Sequence, residues 1–255
     1  LCSSAASDVY KRQVYVGRKH AVAVANGTAA IDIAVDALGI GPGDEVIMPT
    51  FTIISCVVQI ARSGATPVVV DADASMNMDV SKIEGLITPR TKAILVVHLY
   101  HFAADMAPIL ELAKKHNLYV IEDAAEMIGQ TYRNKKCGSF GTISTMSFYP
   151  NKHVTTGEGG MVLTDDPLLY ERIAARRNLC FGPPRRFIHS EFGWNYRLTN
   201  MQAALGCAQL AYLEKSIARK REIGRLYTRL LGGVKGLLLP PDALGDERNI
   251  YWVYG

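Results

Sequence analysis

The stretch A-I-L-V-V-H-L-Y-H-F-A-A-D-M-A-P-I-L-E-L-A-K-K-H-N-L-Y-V-I-E-D (Ala93–Asp123) decides the fold. It begins with a short apolar run, Ala93–Val97, and a second run, Leu118–Ile121, follows near its end. Both have the length and composition of buried strands. Between them, the stretch from about Pro108 to His116 has the apolar spacing of a helix. A strand, a helix and a second strand in this order predict a βαβ unit with parallel strands.

The same alternation extends along the chain from Val14 onward. Further strands are predicted at Ala21–Ala25, Glu45–Met48, Pro67–Val70, Ile143–Phe148 and Met161–Leu163. Helices are predicted at Ala29–Leu38, Thr52–Arg62 and Val80–Ile87, after Asp166-Pro167, and as one long helix over Asn200–Leu231. This order predicts an α/β fold with a largely parallel sheet covered by helices on both faces. The valine-rich run Pro67–Val70 is predicted to be one of the buried strands.

Composition excludes several classes of protein. The 255 residues are 49% hydrophobic and 20% charged, which is typical of a globular domain and not of a disordered or fibrous chain. No apolar run reaches the roughly 18 residues of a membrane-spanning helix. Five scattered cysteines without a C-x-x-C pair indicate neither a disulfide framework nor a zinc site. We therefore expect a cytoplasmic protein without a metal site.

Charge is distributed unevenly along the chain. The formal net charge is +4, yet residues 171–235 hold 13 Lys and Arg against 4 Asp and Glu. Much of this excess lies on the predicted long helix, where a solvated face is the simpler interpretation. Aromatic residues do not alternate with these charges as in a surface that stacks nucleic-acid bases. We therefore expect no nucleic-acid partner.

The two ends of the sequence suggest boundaries. Leu1–Gln13 has no helical or strand period and resembles translated adapter sequence, whereas Asn249–Gly255 is an aromatic, strand-like run without a stop signal. A domain rarely ends within an exposed apolar strand. We therefore expect a non-native leader over residues 1–13, a large domain with a connector helix over 14–232, and the start of a truncated small domain over 233–255.

Three polar clusters follow predicted strands, where parallel sheets bind ligands. Asn26-Gly27-Thr28-Ala29 is either a phosphate cradle or simply a turn and helix cap. Asp123 follows a buried strand, either as a buried carboxylate with a partner or as the cap of a following helix. Lys152 lies between Ser147 and a glycine-rich loop, either at a cleft or as a surface charge.

Together the three clusters match one cofactor. Pyridoxal phosphate (PLP) needs a phosphate site, a carboxylate for its pyridinium nitrogen and a lysine that holds its aldehyde. The conjunction of Thr28, Asp123 and Lys152 meets these three needs, although each cluster alone is a weak signal.

Several longer motifs make this interpretation specific. They are N-G-T-A-A (Asn26–Ala30), G-P-G-D-E-V-I-M-P-T (Gly41–Thr50), I-E-D-A-A-E (Ile121–Glu126), S-F-Y-P-N-K (Ser147–Lys152), T-G-E-G-G-M (Thr156–Met161) and G-W-N-Y-R-L-T-N-M-Q-A-A (Gly193–Ala204). In this order they resemble the DegT/DnrJ/EryC1/StrS family of nucleotide-sugar aminotransferases. The resemblance covers essentially Val14 to Gly255. It implies the type I, aspartate aminotransferase-like PLP fold, with a mostly parallel seven-stranded sheet flanked by helices.

The resemblance also implies roles for individual residues. Lys152 would hold PLP and move a proton between cofactor and substrate carbons, and Asp123 would pair with the ring nitrogen. Glu126 would lie near the ring hydroxyl. Phosphate contacts are implied for Gly27, Thr28, Ala29 and Ser147, and for Asn195 toward the cofactor of a neighbouring subunit. Sugar-nucleotide contacts are implied for Arg186, His189 and Arg197, although a surface or interface role remains open for these three.

The implied reaction transfers an amino group from glutamate to a keto-deoxy nucleotide sugar. The resemblance also implies a homodimer with shared active sites, and we expect no association with a membrane. H-L-Y (His98–Tyr100), R-F-I-H (Arg186–His189) and the Asn195 motif resemble family members that act on GDP-4-keto-6-deoxymannose, for surface polysaccharide or O-antigen biosynthesis. The nucleotide and the aminated carbon stay open.

One position departs from the family pattern. Many members carry Trp, Tyr or Phe four residues after the proline of the P-T-x-T segment, and here Ile53 stands there. We expect weaker cofactor retention from this aliphatic contact. Two alternatives stay open: a sugar 3-dehydratase of the same fold, in which a histidine such as His153 replaces the lysine, and a catalytically inactive regulatory relative.

Overall fold

The computed structural model describes residues 4–181, 187–189 and 191–255. The strands, in chain order, are β1 (His20–Val24), β2 (Glu45–Pro49), β3 (Thr66–Val70), β4 (Thr91–Val97), β5 (Tyr119–Asp123), β6 (Thr131–Tyr132), β7 (Lys135–Lys136), β8 (Ile143–Ser147), β9 (Gly160–Thr164), β10 (Ala243–Leu244) and β11 (Glu247–Arg248). Seven of them form one sheet in the order β1-β9-β8-β5-β4-β2-β3. Strand β9 is antiparallel to both of its neighbours, and the remaining pairs are parallel.

Helices cover both faces of this sheet. They are α1 (Ser4–Val16), α2 (Gly27–Ala37), α3 (Ile54–Arg62), α4 (Val80–Ile83), α5 (Met106–Lys115), α6 (Pro167–Arg177), α7 (Asn200–Ala211) and α8 (Leu213–Leu231). One apolar core contains residues of α2, α3 and α6, and a second contains residues of α5, α7 and α8. The predicted α/β class, with a mostly parallel seven-stranded sheet between helices, is confirmed.

Local sequence explains where the helices begin. Asp166 accepts hydrogen bonds from the amides of Leu168 and Leu169, and Pro167 follows at the first helical position of α6. At α7, Thr199 and Gln202 form a reciprocal capping box. Both starts follow from residue type and spacing alone.

The two ends of the chain differ from the prediction. Helix α1 lies where we predicted no regular element, and it packs along α7. The guanidinium of Arg12 lies 3.6 Å from the ring centroid of Phe148. Tertiary packing therefore supports this helix despite its weak periodicity. The run 249–255 is not the predicted strand.

In this run, side chains from other elements bond the backbone carbonyls. Arg221 donates to the oxygen of Asn249 at 3.0 Å, and Lys220 donates to that of Trp252 at 3.1 Å. These tertiary hydrogen bonds replace the pairing of a strand.

Two internal predictions were also wrong. Strand β3 is the sheet edge and not a buried strand, because only β2 pairs with it, and Val69 is 52% exposed. The predicted single helix over 200–231 is two helices, since Tyr212 leaves the helical conformation between α7 and α8. Apolar periodicity continues across such a one-residue break and does not reveal it.

Candidate active site

A cavity of about 400 Å³ opens where β4, β5 and β8 end and α2 begins. Parallel sheets bind ligands at this edge, because helix N-termini present backbone groups there that lack intrahelical partners. All predicted cofactor contacts line the cavity except Ala29 and Asn195. The sheet thus brings together three clusters that are up to 126 residues apart, from Asn26 to Lys152.

One end of the cavity is built from the first turn of α2 and the end of β8. Gly27, Thr28 and Ser147 line it. Asn26 is the N-cap of α2, and its side-chain oxygen accepts a 2.8 Å hydrogen bond from the Ala29 amide. The structure therefore does not bring Ala29 into the cavity as the sequence predicted. Amides of a first helical turn and a hydroxyl favour an anionic group at this end.

Close packing at this end demands glycine. A Cβ atom at Gly27 would lie 2.9 Å from the Cβ of Ser147, and one at Gly160 would lie 2.4 Å from the Asn26 carbonyl oxygen. Both distances are shorter than the closest approach of a Cβ atom to a non-bonded heavy atom. These glycines let the start of α2 lie directly against β8 and β9, which fixes the shape of the anion-binding end.

Asp123 lies at the base of the cavity, as the last residue of β5, and is only 2% exposed. Its Oδ1 accepts hydrogen bonds from the Ala125 amide at 3.0 Å and the Thr145 hydroxyl at 3.2 Å. The Cys56 thiol lies 3.7 Å from Oδ2. No helix follows Asp123, so it is not the helix cap that the sequence left open. Burial raises its pKa, and the nearby Lys152 opposes that shift.

Glu126 is the second carboxyl group of the cavity. Burial raises its pKa to about 7, while a hydrogen bond from the Tyr100 amide and the charge of Lys152 favour the ionised form. The Tyr100 amide donates to Oε2 at 3.1 Å. Glu126 therefore changes its protonation state near neutral pH, a property more common at functional sites than on surfaces.

Lys152 lies in the turn that follows β8, near enough to both carboxyl groups for their charges to act on its amine. Its amide donates to the carbonyl oxygen of Tyr149 at 3.0 Å, and its Nζ lies 3.9 Å from the ring centroid of Trp252. Burial lowers the pKa of Lys152, and the charges of Glu126 and Asp123 oppose this. A lowered pKa increases the fraction of neutral amine, which is the nucleophilic form.

The neighbouring His153 lies outside this cavity. It is buried, and its Nε2 donates to the Ile250 carbonyl oxygen over 3.0 Å. Burial lowers its pKa to about 4, so the ring is neutral at physiological pH. The chain therefore presents a lysine to the cavity, and not the adjacent histidine.

The predicted contact Ile53 and the nearby Phe51 have different surroundings. Ile53 lines the cavity mouth and is 55% exposed, so it offers only part of its surface to a ligand. Phe51 packs beside Tyr100, with ring centroids 5.8 Å apart.

Predicted residues after position 185 lie elsewhere. Asn195 and Arg197 are exposed and bond each other, the guanidinium donating to the side-chain oxygen of Asn195 at 2.8 Å. His189 is exposed, with Nδ1 2.8 Å from the Leu179 carbonyl oxygen. Arg186 lies outside the described residues. The structure therefore does not bring Asn195, Arg197 or His189 to this cavity.

Sequence reasoning missed several cavity residues, of which Trp252 is the most distant in the chain. Its aromatic run was visible, but nothing in the sequence relates it to Lys152, 100 positions earlier. Tyr149 and Asn151 also line the cavity and lie inside the S-F-Y-P-N-K motif, which was therefore a usable signal.

Within the described part of the chain, His, Cys, Asp and Glu form no cluster of three or more that is arranged to hold a metal ion. Nor does any helix there combine the length and the apolar character needed to cross a membrane.

Similar proteins were found by sequence and by structure. The chain is 47% identical over 241 residues to GDP-perosamine synthase of Caulobacter vibrioides. The aligned region covers 94% of this chain and 65% of that protein. It is 47% identical over 236 residues to GDP-perosamine synthase of Escherichia coli O157:H7, covering 92% and 64%. The structure of DesV from S. venezuelae superposes with a TM-score of 0.92 at 37% identity, covering 100% of this chain and 68% of that one.

The chain thus spans about two thirds of the length of these relatives. Its solved neighbours include an aminotransferase of the same fold from Brucella abortus. The family model described as "DegT/DnrJ/EryC1/StrS aminotransferase family" matches residues 11–254, which is nearly the whole chain. The family resemblance and the aminotransferase fold are therefore confirmed, and the chain belongs to the DegT/DnrJ/EryC1/StrS aminotransferase family.

Proposed function

We propose that this protein is a PLP-dependent aminotransferase that moves an amino group from glutamate to a keto-deoxy nucleotide sugar. One observation carries the proposal: Lys152, Asp123 and an anion-binding helix end line one cavity. Each feature alone has a structural explanation, and their meeting in one cavity has no simpler one. The family supports the reaction type.

The residues present fit PLP. Gly27, Thr28 and Ser147 would hold the phosphate, because they combine a helix N-terminus with hydroxyl groups. Asp123 would hold a proton on the ring nitrogen, and its Oδ2 suits this role because, among the described residues, it accepts a hydrogen bond from the weak thiol donor of Cys56 alone. Lys152 would hold the aldehyde. When bound, PLP would supply an aldehyde that takes up the amino group and a ring that stabilises the negative charge left when a proton leaves the substrate carbon.

Lys152 has two tasks in this proposal. Its amine would hold the cofactor, and it would also move a proton between the reacting carbon atoms. Both tasks need a neutral amine at physiological pH, and burial lowers the pKa of Lys152 in that direction. The negative charges of Asp123 and Glu126 favour the ammonium form of Lys152 and so oppose this shift.

The substrate proposal rests on the relatives. Two relatives at 47% identity are named GDP-perosamine synthase, which supports GDP-4-keto-6-deoxymannose as the amino acceptor. His189 and Arg197 are exposed, so we propose them as contacts for the outer part of a sugar nucleotide, together with Arg186. We also propose a homodimer with shared active sites. In it, the exposed Asn195 would reach the phosphate of the cofactor bound in the partner subunit.

The dehydratase alternative is less well supported. It requires a histidine in place of the cofactor-holding lysine, and His153 is bonded to Ile250 outside the cavity. We propose that the enzyme acts in the cytoplasm and that Ile53 makes its cofactor retention weaker than an aromatic residue would.

A half-reaction tests the proposal. Glutamate added to the PLP-loaded protein should remove the visible absorbance of the cofactor and release one equivalent of 2-oxoglutarate. Lys152→Ala should reduce turnover at least about a thousandfold, since it removes the covalent contact and the proton carrier. The control His153→Gln should retain cofactor absorbance. Normal turnover in Lys152→Ala, or ammonia as the product from the sugar, would contradict the proposal.

A further inference from the structure

The side chain that contacts the Lys152 amine is an indole. Trp252 lines the cavity, and the Nζ of Lys152 lies 3.9 Å from its ring centroid, at van der Waals distance. A ring face so close to the reacting amine also borders the space that a reacting substrate must enter. None of the roles derived above for the cavity uses this residue.

Trp252 is held from several sides. Its Nε1 donates to the Asn151 carbonyl oxygen at 3.1 Å, and its own carbonyl oxygen accepts from Lys220 Nζ at 3.1 Å. The two residues before it, Ile250 and Tyr251, are buried. The indole is therefore fixed by the turn after β8 and by α8, and not merely folded over an open site.

A strained residue supports the same indole. Tyr100 has a φ of +53°, a left-handed conformation that costs energy for a bulky side chain. In this conformation its amide bonds Glu126, and its ring centroid lies 5.9 Å from that of Trp252. The ring of Phe51 also packs beside that of Tyr100, with centroids 5.8 Å apart. Rings at these distances and tilts attract each other.

We propose that Trp252 binds the sugar ring of the substrate and helps to select it, with Tyr100 as its positioning residue. This inference rests on the proposed function. The carbonyl carbon that receives the amino group must come close to the Lys152 amine, so the ring that contains this carbon comes within reach of the indole. The nucleotide is separated from that carbon by the rest of the sugar and two phosphate groups, and so it lies further away.

The face of the Trp252 indole and the surface of a deoxy sugar are chemically complementary. An indole face carries negative charge density, which attracts weakly positive C–H groups. A 6-deoxy sugar carries a methyl group where an ordinary hexose carries a hydroxymethyl group, so this edge of the sugar is apolar and can contact the indole face. Trp252 therefore favours a deoxy sugar beside the reacting amine.

Fluorescence tests the contact without turnover. The chain has two tryptophans, so Trp194→Phe leaves Trp252 as the sole emitter. In cofactor-free protein, GDP-4-keto-6-deoxymannose should change the tryptophan emission, and GDP alone should leave it unchanged. An unchanged emission at saturating sugar nucleotide, or an equal change with GDP, would overturn the inference.

Steady-state kinetics measures how much the Trp252 contact contributes to binding of the sugar. In the PLP-loaded protein, Trp252→Ala should raise the KM for the sugar about tenfold, which corresponds to one aromatic contact, and should raise the KM for glutamate by a smaller factor. Trp252→Phe should restore most of the loss, and the control Trp194→Ala should not change the KM. An unchanged sugar KM in Trp252→Ala would overturn the inference while the proposed function stands.

The two proposals fail in distinguishable ways. A wild-type protein that takes the amino group from glutamate but does not pass it to this sugar overturns the proposed substrate, and the inference with it. A wild-type protein without the glutamate half-reaction overturns the proposed function itself.

Discussion

The two ends of the cavity differ in charge, since one is lined by uncharged residues and the other by buried ionisable residues. The anion-binding end uses Gly27, Thr28 and Ser147, which are uncharged, and needs only close packing and an intact helix start. The opposite end buries Asp123, Glu126 and Lys152, whose pKa values all shift toward the neutral form. The first end depends on shape, whereas the second depends on charges held at an electrostatic cost.

The largest effect should come from removing a buried charge. Asp123→Asn keeps the size of the side chain and loses the negative charge beside Lys152. We expect turnover to fall roughly a hundred- to a thousandfold, as for other electrostatic contacts to a reacting group, while the cofactor-free protein stays folded. Steady-state kinetics and circular dichroism check this. In the control Asp71→Asn, at an exposed position, turnover should not change; a loss below about threefold in Asp123→Asn would mean that the charge is dispensable.

An intermediate effect is expected on the pH dependence of folding stability, through Glu126. The pKa of Glu126 is raised from 4.5 to about 7 in the folded cofactor-free protein, so the folded state binds this proton more tightly than the unfolded state. Its contribution to stability is complete below pH 4.5 and is lost as pH rises toward 7. This loss amounts to about 2 to 3 kcal/mol. Glu126→Gln should remove it.

Urea unfolding at pH 5 and pH 8 measures the difference. Wild type should lose more stability than Glu126→Gln between the two values, and the exposed control Glu111→Gln should behave as wild type. Identical pH dependence in wild type and Glu126→Gln would place the pKa of Glu126 near its ordinary value, and the charged end would then carry a smaller cost than its burial indicates.

The smallest effect should come from the uncharged end. Gly27→Ala places a methyl group 2.9 Å from the Cβ of Ser147, so the helix start must move away from β8. We expect PLP to bind about tenfold more weakly, with little change in the pH dependence of stability. Equilibrium dialysis measures this affinity. Gly85→Ala, where a Cβ meets no atom within 4 Å, is the matched control. Equal affinities in both variants would show that this packing does not shape the phosphate site.

The comparison also separates what sequence reasoning reached from what it missed. Gly27 begins α2 after β1, Asp123 ends β5, and Lys152 lies in the turn after β8, and a parallel sheet brings such positions to one edge. Their meeting was therefore predictable from order alone. The Ala29 amide bonds the side-chain oxygen of Asn26 within the first turn of α2, so this segment is the helix cap that the sequence left open beside the phosphate cradle.

By itself, the sequence determined the α/β class, the strand and helix order and the cluster at the carboxyl ends of the strands, because these depend on local periodicity and chain connectivity. Tertiary structure alone decided the edge position of β3, the break at Tyr212 and the placement of Trp252 against Lys152. Each of these depends on packing between residues distant in the chain, and no local pattern records which distant surface a residue will meet.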